Sequence, residues 1–121
     1  MLMAKYFRKE GIKHNVPPIF FLSPTLYQLN EPFHGANFLY AEPELKGDWK
    51  KMTTNHTECK DDLMASFSHF SFWLSSQLFI ITDLQGSGFL LTDPAIHSID
   101  EHLFRERTNR MQEGINEFFL Y

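Results

Sequence analysis

Two rhythms of apolar residues alternate along the chain, and each change of rhythm marks an element. Leu2, Met3, Tyr6 and Phe7 recur at helical spacing with Gly11 as a stop, which predicts a short amphipathic helix. Pro17 and Pro18 break that pattern before the run Ile-Phe-Phe-Leu at 19–22, a strand. Residues 25–29 either extend it or pair with it. Residues 32–37 contain Gly35 and read as a hairpin connection, and 37–42 read as the next strand. Gly47 punctuates the chain, residues 48–52 form a short amphipathic piece, and 53–57 a polar loop. Asp61 and Asp62 favour a helix start by complementing the backbone dipole, and Leu63, Met64, Phe67 and Phe70 form its buried face. Residues 77–82 are apolar and β-rich. Residues 100–110 are strongly charged and irregular, and 111–120 close the chain as a helix with Ile115, Phe118 and Phe119 inward. Strands precede helices without strict alternation and no repeat is visible, so the expected class is α+β.

The chemistry concentrates around the run at 77–82. It delivers Asp83 to the end of a buried strand. Gly86, Ser87 and Gly88 then let the chain turn, Leu90 and Leu91 return to the core, and Asp93-Pro94 turns it again. Asp-x-x-Gly and Asp-Pro are common turn formers, and each acid taken singly is explained by that role. These turns are expected to bring the two carboxylates and the Gln85 amide to one point in space, where their hard oxygen atoms suit Mg²⁺ and the phosphates it carries.

Composition narrows the classes. The chain has 121 residues, enough for one compact domain, and thirteen Phe raise the aromatic share to 16%. Net charge is −4 with no basic block, so no nucleic-acid footprint is expected. No apolar run is long enough to span a bilayer and no signal-peptide pattern opens the chain. One cysteine, Cys59, makes no internal disulfide, which fits a reducing, cytoplasmic setting.

The segments Phe-Ser-His-Phe at 67–70, Leu-Phe-Ile-Ile-Thr-Asp-Leu-Gln-Gly at 78–86 and Leu-Thr-Asp-Pro-Ala-Ile-His at 91–97 together resemble the alpha-kinases. These are atypical serine/threonine protein kinases such as elongation factor 2 kinase and the myosin heavy chain kinases. The resemblance runs from about Ala4 to Phe119. It implies a partial alpha-kinase-type domain, with 1–42 as the end of the N-lobe and hinge and 43–121 as the C-lobe. It implies ATP and Mg²⁺ as cofactors and a protein Ser or Thr as substrate. Asp83 matches the acid that orients or deprotonates the substrate hydroxyl, and Gln85 and Asp93 match the Mg²⁺ ligands. Glu42 matches the glutamate at the nucleotide hinge; read without the resemblance, it is equally the solvated end of a strand. Residues 47–55 resemble the family's Gly-x-Phe-x-Lys-x-x-x-Asn stretch, with Trp49, Lys51 and Asn55 in the aromatic, Lys and Asn places. His69 matches one of four family zinc ligands.

The sequence departs from the family pattern at three places. The family's phosphate-pairing lysine and glycine loop fall upstream of the helix at 4–7, and neither Lys5 nor Lys9 takes that role. The His-x-Cys-x-x-x-Cys zinc segment falls beyond the last helix, so one His predicts no complete zinc site. The family's substrate-receiving glycine loop keeps its frame as Phe104, Asn109, Gly114 and Ile115, but side chains at 105–108 and 110–111 replace the inner glycines. Three readings follow: an incomplete catalytic domain of a kinase, a degenerate pseudokinase serving as a binding or scaffold module, or an unstable fragment with uncovered strand edges.

Overall fold

The computed structural model describes residues 1–54, 61–105 and 107–120. Helix α1 spans Leu2–Gly11 and runs into a single 3₁₀ turn. Its buried face is Ala4, Phe7 and Gly11, whereas Leu2 and Tyr6 of the expected stripe are exposed. Gly11 does not terminate the helical course. Asn15 does, in the left-handed conformation at φ 55°. Gly11 is instead a packing site, since a Cβ there would sit 3.1 Å from Val16 Cβ.

The described residues form eight strands: β1 (Phe20–Phe21), β2 (Thr25–Phe33), β3 (Ala36–Ala41), β4 (Trp49–Lys51), β5 (Phe79–Thr82), β6 (Gln85–Ser87), β7 (Leu90–Thr92) and β8 (Ala95–Ser98). Helices α2 (Asp62–Leu74) and α3 (Met111–Leu120) complete the α+β chain. Strands β2 and β3 form a two-stranded ribbon closed by His34 and Gly35, both at positive φ as a type I′ turn requires. A second ribbon pairs β5 with β8, and a four-stranded sheet has the order β1-β7-β6-β4. The expected amphipathic piece at 48–52 is thus the edge strand β4. The glycine turn is tighter than expected, only Gly88 and Phe89, because Gln85 to Ser87 already pair with β7.

The β5–β8 ribbon is buried on both faces, which explains its unbroken run of apolar residues. Ile81 points into a core with Ala4, Phe7, Ile19, Met64, Phe67, Leu84 and Leu91. Ile80 points the other way, against Ile115 and Phe118 of α3. Phe119 lies at the margin of that cluster at 45% exposure, rather than inside it. Asp61 caps α2 by accepting from Met64 N at 3.1 Å. Ser71 of α2 donates to Ser68 O and accepts from Ile81 N at 2.9 Å, which fastens helix to strand.

Candidate active site

Strand β5 ends at Thr82, so Asp83 stands at the rim of the core. Its neighbour Leu84 is fully buried and its backbone is pinned on both sides. Leu84 N donates to Thr53 Oγ1 at 2.7 Å, and Leu84 O accepts from Met52 N and Thr53 N. Asp83 itself is held at φ 55° and Asp93 at φ 47°. This left-handed region is uncommon for residues other than glycine but well tolerated by Asp. Such conformations collect at functional sites, where the surrounding fold over-determines them.

Register supplies the rest. Lys51 lies opposite Gln85, and Gln85 lies opposite Thr92. These three side chains therefore leave one face of the sheet in a line, at spacings of about 5 Å. Lys51 reaches Asp83, with Nζ 2.6 Å from Oδ1. That oxygen is buried and accepts no well-aligned hydrogen bond among the described residues, so the ammonium is the charge that faces it. Gln85 Nε2 donates to Asp93 O at 3.1 Å, leaving its amide oxygen as an acceptor. Thr92 Oγ1 donates to both oxygens of Glu42, at 2.7 and 2.8 Å.

Glu42 and Asp93 line one cavity of about 460 Å³ together with Leu22, Pro24, Tyr40, Ala41 and Pro94. Asp83 and Gln85 lie outside that lining, along the polar row that starts beside it. The structure therefore joins Asp83 to Lys51, Gln85 to the backbone of Asp93, and Glu42 to the Asp93 side of the cavity. No group of three or more His, Cys, Asp or Glu side chains gathers among the described residues. The structure does not join the carboxylates of Asp83 and Asp93: Asp83 is set on Lys51, and Gln85 is bound to the backbone of Asp93. The neighbouring Gln85 amide and Asp93 carboxylate are donor types that fit Mg²⁺, which keeps most of its waters and takes one or two carboxylates plus phosphate oxygens.

Lys51 is the residue whose place in the site sequence reasoning missed. It had a family counterpart but no role until strand pairing put it on Asp83. Thr92 was likewise noted only as part of Thr-Asp-Pro. His69 is exposed, with its ring against Phe118 and Phe119 at 4.9 and 5.2 Å, and among the described residues it belongs to no group of three or more His, Cys, Asp or Glu. Asn55 and Cys59 lie outside the described residues.

The segment between β8 and α3 shows why its frame residues persist where the inner glycines do not. Phe104 packs edge-on to Phe79 at 5.4 Å. Asn109 accepts from Ser98 N and Met111 N and donates to Ser98 Oγ and Phe104 O. A Cβ on Gly114 would fall 2.5 Å from the buried His97 ring, and Ile115 is buried. Arg105 and Thr108 face solvent, while Arg110 pairs with Glu113 and Glu117. The hydrogen bond from Arg110 to the Glu117 carboxylate raises that guanidinium above its ordinary value.

The family model described as Alpha-kinase family matches residues 1–121. Alpha-protein kinase 1 of Homo sapiens is 31% identical over 126 residues, covering 93% of this chain and 10% of that protein. Myosin heavy chain kinase C of Dictyostelium discoideum is 33% identical over 118 residues, covering 95% of this chain and 15% of that protein. The solved alpha-kinase domain of Myosin Heavy Chain Kinase A in complex with ADP matches with a TM-score of 0.84 at 30% identity, over 99% of this chain and 50% of that one. The same domain in complex with AMP-PNP gives a TM-score of 0.83. The chain thus spans half of a solved alpha-kinase domain and a small fraction of its curated relatives. A fold matched along nearly its whole length, carrying the acid–glutamine–acid arrangement, has one conclusion: the chain belongs to the alpha-kinase family.

Proposed function

We propose that this chain carries the acid-and-metal corner of an ATP-dependent serine/threonine protein kinase of the alpha-kinase type. Residues 1–42 supply the end of the N-lobe and the hinge, and 43–121 the C-lobe. The observation that carries this reading is the continuous polar row from Glu42 through Thr92, Gln85 and Lys51 to Asp83, beside a cavity large enough for a nucleotide base. The alpha-kinase domain of Myosin Heavy Chain Kinase A has been solved with ADP, ATP and AMP-PNP, which supports a nucleotide as ligand.

Phosphoryl transfer needs positioning and charge neutralisation more than covalent help from the protein. Glu42 and Asp93 border the nucleotide cavity. Gln85 and Asp93 are the residues that would hold Mg²⁺, and the bound ion supplies charge neutralisation at the phosphate oxygens. Of the three carboxylates at the site, Asp83 is the one set against a cation among the described residues. It orients the hydroxyl of a substrate Ser or Thr and takes its proton on a carboxylate oxygen. Lys51, with its Nζ 2.6 Å from Oδ1, holds that carboxylate in place until the hydroxyl arrives.

Asp83→Asn is the decisive substitution, since Asn also tolerates the left-handed backbone and removes only the charge. It is expected to lower phosphate transfer by at least 100-fold, on the order of a lost acid–base group, in any alpha-kinase polypeptide carrying this segment. Its folding midpoint should stay close to wild type. Full activity in that variant overturns the role given to Asp83. Titration of the wild-type chain with Mg·ATP separates this reading from the scaffold-module one, which requires no binding.

A further inference from the structure

The β2–β3 ribbon and the four-stranded sheet are separate sheets with no strand pair between them. Every residue of β3 is exposed, so packing alone holds its end loosely. Glu42 follows directly after β3, and Thr92 is the last residue of β7. The hydrogen bonds from Thr92 Oγ1 to Glu42 Oε1 and Oε2 therefore fasten the ribbon to the sheet, across 50 positions of sequence, at the residue beside Asp93. They do so at the edge of the cavity that Glu42 and Asp93 both line.

We infer that Thr92 is a positioning residue whose hydroxyl sets the width of this cavity and fixes the orientation of the Glu42 carboxylate. A hydroxyl donating to a carboxylate is a charge-assisted bond, stronger than a neutral one. Sharing the donor between both oxygens leaves the carboxylate one preferred orientation. Thr92 is also a rigid anchor, since its β-branched side chain is stiff at χ1 and its strand is paired to β6. Without this bond the Glu42 carboxylate turns out to water, away from the cavity that it lines with Asp93.

The consequence for ligand binding rests on the nucleotide reading above; the fastening itself does not. Thr92→Val removes the donor at nearly constant shape, and Thr92→Ser keeps it. Amide hydrogen exchange is followed on the full chain for both variants, alongside calorimetric titration with Mg·ATP. Thr92→Val is expected to speed exchange at residues 40–42 while leaving Ile80 and Ile96 unchanged, with Thr92→Ser close to wild type. It is also expected to weaken Mg·ATP binding by roughly three- to tenfold, the net scale of one hydrogen bond exposed to water. Unchanged exchange at 40–42 overturns the fastening whatever the nucleotide does. Faster exchange with unaltered Mg·ATP affinity overturns the claim that Thr92 sets the cavity. A wild-type chain that binds no Mg·ATP sinks the kinase reading alone, and the exchange comparison still decides the role of Thr92.

Discussion

Gly86 shows how much a single position between Gln85 and Ser87 constrains the candidate site. A Cβ built there would lie 2.1 Å from Leu90 O and 2.8 Å from Leu91 Cα. The glycine therefore lets β6 and β7 close together behind the polar row, a different task from the turn role that its neighbours in sequence suggest. Gly86→Ala should destabilise the chain by about 2–3 kcal/mol, the cost of forcing backbone apart in a packed region. It should also separate Gln85 from Thr92. A urea unfolding midpoint equal to wild type rejects this account. The acids at 83 and 93 were legible as turn residues, because Asp in such motifs is a local preference. The partner of Asp83 was not, because Lys51 lies 32 positions away and only the β4–β6 register carries it there.

Among the elements, the connection from β8 to α3 is held most extensively by one side chain, Asn109, beside the bond from Arg110 N to His97 Nδ1 at 3.0 Å. Asn109 satisfies backbone groups at Ser98, Phe104 and Met111 at once, which fixes where α3 starts and how it meets His97. Asn109→Ala leaves those groups without their partner and should cost about 2–4 kcal/mol, since several bonds worth about 1 kcal/mol each are lost. Limited proteolysis then cleaves within residues 99–110 well before it cleaves β5. Equal cleavage rates at the two sites in the variant contradict this. Helices α2 and α3 were readable from their periodicity and from the acids at 61 and 62. Strand β8 was not, since Ala-Ile-His-Ser has little strand signal by itself and is drawn into pairing by β5. The covered side of α1 was legible only in part: four apolar residues at helical spacing define a stripe, but packing on α2 selects which part of it is covered.

For the whole molecule, the β2–β3 ribbon leaves large apolar side chains in solvent. Leu26, Tyr27, Phe33, Phe38 and Tyr40 are each more than half exposed. Adjacent exposed aromatic and aliphatic groups on a two-stranded ribbon are an association surface. The isolated chain should therefore self-associate with rising concentration, giving a mass by light scattering above the monomer's 14.3 kDa. Leu26 and Tyr40 stand opposite each other on one face. The pair Leu26→Lys with Tyr40→Glu keeps a favourable cross-strand contact while removing the apolar one. This double variant should return the mass towards the monomer. A wild-type chain that stays monomeric at high concentration refutes the prediction.

The sequence by itself determined what neighbouring residues decide: three helical segments, the apolar run that ends at Asp83, the turns at Asp83 and Asp93, and the motif spacing that resembles the alpha-kinases. These are preferences of the local backbone and of short-range periodicity, which are written within a few positions. Only the tertiary structure decided that Lys51 faces Asp83, that Thr92 holds Glu42 and that β1 runs beside β7. A backbone hydrogen bond is the same for any partner strand. The choice among partners distant in sequence is made by which side chains the whole core can bury together.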